Sequence, residues 1–340
     1  MTSRAPAQLL LGGLIALLLP CMGSAQQMSP AAHSPAPLES EVIRSWGDDA
    51  MRGIMTSWEV AFRRHHPEIT FLNTLLGTAT SMAGIITNTS DLSLMGRPAS
   101  VNEIIGFEWV YRVKPLGIQV MNGSLQTEGH TPALAVLVSR ANPLQQISMT
   151  QLATVLGCPT DKHAAVTWAM AGATGAWAQR PVHAYLYDDQ TGTGAFLQQA
   201  ILGKGDCWNW RIVHEFKDRS LGNGNVYTAT RQIRDALQHD PDGLAIATLA
   251  SPSPGVKALS VAASGAPVGL SESTVISGEY PLARGVYIYI RRASNKPVDP
   301  KVAEFLRFVL SAEGQTLVKT QSDFLPLNPA AAAAARKQLE

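Results

Sequence analysis

The chain has 340 residues, long enough for two domains of ordinary size, with 16% charged and 46% hydrophobic residues, which excludes a disordered chain. The formal net charge of +1 argues against nucleic-acid binding through a broad basic surface, so any anion site must be local. The N-terminus reads as an export signal: Arg4, then a short apolar core from Leu9 to Leu19, then Gly23-Ser24-Ala25 as a small-residue cleavage site. Residues 1–25 are therefore expected to be removed on export to an oxidising compartment, with acylation of Cys21 as a competing reading. Residues 26–40, rich in Pro, Ala and Ser, read as a flexible leader. Of the three cysteines, Cys158 and Cys207 lie beyond this region; the oxidising compartment permits a disulfide, and two separate thiols are the alternative.

In chain order, Glu41–Trp46 is a predicted strand. Gly47-Asp48-Asp49 is a turn in which either aspartate can cap the helix that follows, with apolar residues at Met51, Ile54, Met55, Trp58 and Phe62 up to Pro67. Ile69–Leu75 is a second strand, followed by the turn Gly77-Thr78-Ala79 and a helix from Met82. Asp91–Met95 is a third strand, ending in Gly96-Arg97-Pro98 before another helix. Strand–helix–strand spacing of this kind belongs to a parallel α/β sheet. Lys114–Met121 and Ala133–Val138 follow as strands and Ser148–Leu156 as a helix; residues 158–179 carry no clear pattern. Val182–Tyr187 is a strand that feeds Asp188-Asp189-Gln190-Thr191-Gly192-Thr193-Gly194, and a helix runs from Ala195. Asn225 is expected to cap a helix from Val226 to Leu237. Leu244–Leu249, Val256–Ala262 and Tyr280–Ile290 are strands, Pro300–Val318 is one amphipathic helix, and Asn328-Pro329 opens a last one.

Four strand-to-helix turns stand out: Gly47-Asp48-Asp49-Ala50, Gly77-Thr78-Ala79, Thr191-Gly192-Thr193 and Gly224-Asn225. Helix N-termini present unpaired N–H donors, glycine lets the backbone approach a ligand, and in open α/β sheets such turns gather at one edge. They are suited to a compact oxyanion. Trp46, beside the first turn, is a candidate ligand wall. No G-x-S-x-G elbow, H-E-x-x-H motif or phosphate loop with lysine is present. His65 and His66 read as structural residues at a helix end, and Asp188 and Asp189 as acceptors that shape their turn rather than as a catalytic pair. The chain is thus expected not to be an enzyme and to need no metal or cofactor.

Several pieces, in order, resemble the periplasmic phosphate-binding proteins of bacterial ABC importers, in the type 2 periplasmic-binding-protein superfamily. They include Phe62 to Pro67, Asp91-Leu92-Ser93-Leu94-Met95-Gly96-Arg97-Pro98, Ala141-Asn142-Pro143, Asp189-Gln190-Thr191-Gly192-Thr193, Asp242-Gly243-Leu244-Ala245 and Tyr280-Pro281-Leu282. The resemblance implies an α/β fold of two lobes joined by hinge strands, residues 41–125 with 280–340 forming one and 126–279 the other. It also implies a monomer that closes on phosphate or a related oxyanion and hands it to a membrane ABC permease. The ligand set it implies is Asp49, Ala50, Thr78, Gly96, Arg97, Thr191, Gly192 and Thr193. Three positions depart from the family pattern: Asp49 replaces a small hydroxyl residue, Gly96 an aspartate that accepts a hydrogen bond from protonated phosphate, and Tyr187 an arginine that pairs with the anion. Arg97 is the cation that could replace that charge. A sensor or adaptor of the same fold with a degenerate anion site is the alternative function.

Overall fold

The computed structural model describes residues 41–159, 161, 163–203, 207–249, 255–293 and 296–340. The expected export signal, the Cys21 acylation alternative and the leader lie outside the described residues. No helix among the described residues is long and apolar enough to cross a membrane.

Two sheets form two lobes. The first begins with β1 (Val42–Gly47), β2 (Thr70–Thr74) and β3 (Leu92–Met95), joined through helices α1 (Arg52–Phe62) and α2 (Ser81–Ile86). After α3 (Val101–Tyr111) come β4 (Leu116–Asn122) and, much later in the chain, β13 (Gly285–Ile290). The strand order is β2-β1-β3-β13-β4, with β1, β2 and β3 parallel and β13 antiparallel to both its neighbours. One face of this sheet packs on α1 and the C-terminal helices, through Trp58, Phe62, Phe305 and Phe308. The other face meets α2 and α3 through Met82, Ile85 and Phe107.

The second lobe holds β5 (Leu134–Ser139), β6 (Gln146–Ser148), α4 (Met149–Leu156), β7 (His183–Tyr187) and α5 (Gly192–Ile201). It continues with β8 (Val213–Phe216), a hairpin of β9 (Arg219–Gly222) and β10 (Asn225–Tyr227), then α6 (Ala229–Gln238), β11 (Gly243–Thr248), β12 (Val256–Ala262) and α7 (Glu272–Ser277). The main sheet runs β6-β12-β5-β11-β7-β8, and β5 and β11, at its centre, are apolar almost throughout because both faces are covered. The chain closes on the first lobe with α8 (Pro300–Val309), α9 (Ala312–Gln321) and α10 (Pro329–Lys337). Asn328 caps α10 by accepting from Ala331 N–H at 2.8 Å, with Pro329 at the first helical position.

Three expected elements differ. Pro300–Val318 is two helices, because Ser311 stops the first and caps the second by accepting from Gly314 N–H at 3.2 Å. Gly224-Asn225 does not open a helix. Asn223 and Gly224, both at positive φ, form the tip of the β9–β10 hairpin, as Asn-Gly pairs favour. The helix starts three residues later, where Thr228 rather than Asn225 is the cap. The strand expected over Tyr280–Ile290 begins only at Gly285. Residues 280–284 instead cross between the lobes beside the segment that links β4 to β5: Gly123 N–H donates to Arg284 O at 2.8 Å and Leu134 N–H to Leu282 O at 3.1 Å.

Cys158 and Cys207 are bonded, 49 residues apart in sequence with Cα atoms 5.4 Å apart. The bridge ties the end of α4 to the segment between α5 and β8, beside the buried Trp208. Closing a loop of this length restricts the unfolded chain, so replacing both cysteines by alanine is expected to cost about 2–4 kcal/mol, read as a shift in the urea midpoint. In the first lobe Arg44 chelates Asp91 through Nε (3.1 Å) and Nη2 (2.9 Å). Burial raises the Asp91 carboxyl, but its bonds to Arg44 outweigh burial and hold it below its ordinary value. A depressed carboxyl contributes stability that is present above its unfolded value and lost as pH falls through the folded one. Asp91→Asn is therefore expected to flatten the acid limb of a stability–pH curve, measured by urea unfolding at successive pH values.

Candidate functional site between the lobes

The turns after β1, β2 and β3 meet around one carboxylate, that of Asp48. This residue is only 8% exposed, and its Oδ1 accepts from Ala50 N–H at 3.1 Å, capping the short 3-10 turn Asp49–Met51. The Thr78 hydroxyl and the Gly96 N–H donate to the same carboxylate. Burial pushes the Asp48 carboxyl up from its ordinary value, the neighbouring Asp49 charge adds to this, and the three donors pull against both. Gly96 has no room for a side chain: a Cβ there would lie 2.5 Å from Asp48 Oδ2 and 2.5 Å from Thr131 Oγ1. Thr131 sits at φ 51°, a strained conformation for a β-branched residue, and its hydroxyl donates to Gly96 O at 2.9 Å. The strain thus holds the third turn against the crossing segment.

The facing wall belongs to the second lobe. Thr191 caps α5 by accepting from Gly194 N–H at 3.0 Å. Thr193 is on the first turn of that helix, half-buried and at its donor-rich end. The Tyr187 hydroxyl bonds to the Thr230 hydroxyl at 2.9 Å and accepts from Thr248 N–H at 3.2 Å. A cavity of about 420 Å³ opens here, lined by Tyr187, Thr191, Thr193, Thr228, Thr230 and Arg284 among others. The N-termini of α5 and α6 both border it.

Arg284, on the crossing segment, reaches the middle of the cleft. Its Nη1 donates to Thr193 Oγ1 at 3.1 Å, and its guanidinium lies 5.4 Å from the Phe196 ring centre. It is 8% exposed, and among the described residues no carboxylate lies within ion-pair distance of it. Burial lowers its proton affinity to about 10, against the charges of Tyr187 and Asp48, which act the other way. Arg97 also spans the cleft, but differently. Its stem lies over Gly192, where a Cβ would fall 2.9 Å from Arg97 Cδ, while its guanidinium is chelated by Glu103 at 2.7 and 2.9 Å.

The predicted residues divide accordingly. Thr78 and Gly96 meet at Asp48, Thr191 and Thr193 line the cavity opposite, and Arg97 covers Gly192 between them. Asp49 is exposed, and the carboxylate turned into the first-lobe wall is its neighbour Asp48. Ala50 offers its N–H to Asp48, while its remaining surface borders a separate cavity with Thr320 and Phe324. Trp46 packs over Gly84 of α2, its Cγ 2.9 Å from where a Cβ would stand. Arg284 and Thr230 had no signal of their own in the sequence. The first sits in a run that alternates like a strand, the second behind a cap placed three residues too early. Outside the cavity, Asp188, Asp189 and Glu215 bring carboxylate oxygens within 4.8 Å of one another. Glu215 is pushed up to about 7 by burial and then by the two aspartates, and it accepts from Asp189 N–H at 3.1 Å, so the trio is bound up in the turn that leads to Thr191. His66 is buried beside Glu68 and Glu304 and stacks on Phe62 in the first-lobe core.

Comparison with known proteins agrees with this architecture. A PBP superfamily domain model matches residues 30–313. The phosphate-binding protein PstS of Pseudomonas aeruginosa is 28% identical over 302 residues, covering 87% of this chain and 86% of its own. Among solved structures, PstS from Borrelia burgdorferi aligns with a TM-score of 0.54 at 16% identity, covering 84% of this chain and 99% of its own. An ABC-type phosphate transport receptor from Vibrio cholerae aligns at 0.50 and 14%, covering 83% and 99%. These two likenesses are of fold, that of two-lobed type 2 periplasmic binding proteins. With the model match spanning most of its length, the chain belongs to the PBP superfamily.

Proposed function

We propose that this protein captures phosphate or a related small oxyanion between its lobes and delivers it to a membrane ABC permease. The observation that carries the reading is Arg284, a buried guanidinium whose one hydrogen-bond partner among the described residues is the neutral hydroxyl of Thr193. Burying a charge without a counter-charge is costly, and an incoming anion removes that cost. The amides at the start of α5 and the Thr193 hydroxyl converge on the same space, which is how a compact oxyanion is held without a metal. The similarity to PstS supports phosphate as the cargo. In this reading residues 1–25 serve as an export signal and the protein works in the periplasm as a monomer.

Capture follows from the two crossing segments. They are the covalent links between the sheets, and Arg284 lies on one of them, so an anion drawn to Arg284 sits at the pivot and draws in the first-lobe turns. Arg97, braced by Glu103, then covers Gly192 from the opposite lobe. Beside the hydroxyls and Arg284 the cavity is lined by Lys217 and by two carboxylates, Glu128 and Asp218, and we read it as a binding site rather than a hydrolase centre.

Calorimetry on the mature chain, stripped of ligand, is expected to give one-site binding of phosphate. Absence of heat with phosphate, sulfate, molybdate and carboxylates alike would remove the reading. Charge-assisted bonds contribute about 1.5–3 kcal/mol each, so Arg284→Gln is expected to weaken phosphate about 10- to 150-fold while Arg97→Gln weakens it less. Gly192→Ala is expected to weaken binding by displacing Arg97, with the fold retained in the circular-dichroism spectrum.

A further inference from the structure

The cavity that holds Thr193 and Arg284 is larger, and more mixed in charge, than a bare oxyanion requires. Its volume of about 420 Å³ is room for roughly 14 waters at about 30 Å³ each, far more than a tetrahedral ion fills. Cavities from about 300 Å³ upward have the size of small-molecule sites. Its lining comes from the second lobe and the two crossing segments. Among the described residues none of the lining belongs to the turns after β1, β2 or β3, so the room is not simply the gap between the sheets.

Two helix N-termini border the cavity, and they differ. At α5, Thr193 meets Arg284 Nη1 at 3.1 Å, and this 8% exposed guanidinium has no carboxylate within ion-pair distance among the described residues. At α6 the place of an anion is already taken, since Asp218 Oδ1 accepts from Ala229 N–H at 2.7 Å. Glu128, on the segment from β4 to β5, brings a second carboxylate, and both acids are exposed where they border the cavity. The ammonium of Lys217 lies 3.5 Å from Asp188, and among the described residues no cation lies within ion-pair distance of Glu128 or Asp218. One part of the cavity thus calls for negative charge and another for positive. Tyr187 is the one aromatic ring among the described lining residues, which suits a primary ammonium that donates hydrogen bonds and not a quaternary one that needs an aromatic cage.

Resting on the capture of an oxyanion proposed above, we infer that the cargo is a small phosphate monoester whose organic part ends in a primary ammonium. Its phosphate takes the place beside Arg284, Thr193 and the start of α5. Its short chain passes Tyr187 and Thr228, and its ammonium donates to Glu128 and Asp218. Inorganic phosphate fills only the first of these places and leaves both carboxylates without a partner.

The probes are O-phosphoethanolamine, propyl phosphate (the same length, with a methyl in place of the ammonium) and inorganic phosphate, each titrated calorimetrically into the mature chain stripped of ligand. An exposed ion pair is worth up to about fivefold in affinity. With two carboxylates, phosphoethanolamine is expected to bind about 5- to 25-fold more tightly than propyl phosphate. In Glu128→Gln that ratio is expected to drop about two- to fivefold. Equal affinities for the two esters in the wild type, or a ratio that Glu128→Gln leaves unchanged, would overturn the inference. Binding of inorganic phosphate with both esters excluded would also overturn it and leave capture standing. If none of the three binds, capture itself fails and the inference with it. The wild-type comparison reads the proposal even if the variant does not fold.

Discussion

A guanidinium buried at a hinge organises this molecule. Arg284 lies on one of two antiparallel crossing segments, and its backbone carbonyl accepts from Gly123 on the other, so its position is set by the connection between the lobes. Its side chain points at the start of α5 in the second lobe. A cation in such a place is tolerable with a counter-charge, and none from the described residues lies within bonding distance. Crossing segment, cleft and buried positive charge are thereby one constraint.

The first-lobe wall is built against the same constraint. Asp48 gathers the donors of three turns that are 48 residues apart from first to last, and its charge reaches Arg284 without contact. A carboxylate so placed would repel an anion if it were unbonded, yet each of its donors spreads that charge into a turn. The strained backbone of Thr131 and the missing side chain at Gly96 are the local costs of this packing. They occur where the crossing segment meets the third turn, since the Thr131 hydroxyl donates to Gly96 O.

Regular elements and their caps were legible because their signals lie within a few residues. Apolar spacing in Ile54–Phe62, the Asn328-Pro329 start of α10, and the turns after β1, β2 and β7 are all local patterns. Where local patterns competed, tertiary context chose. Asn223-Gly224 made a hairpin instead of a helix start, Ser311 divided one amphipathic run in two, and Tyr280–Arg284 left the sheet to cross between lobes.

By itself the sequence determined an α/β chain with polar, glycine-bearing turns at strand ends, and its order of motifs pointed to the superfamily. Only the tertiary structure decided which charges share the cleft. The buried carboxylate is Asp48 and not Asp49, Arg97 has its charge engaged by Glu103, and the central cation, Arg284, comes from a run with no site signature. It also decided that Cys158 and Cys207 are partners. The physical reason is common to all of these. Period and capping depend on neighbours along the chain, whereas the partner of a charge or a thiol depends on distances that only the packing of two lobes creates.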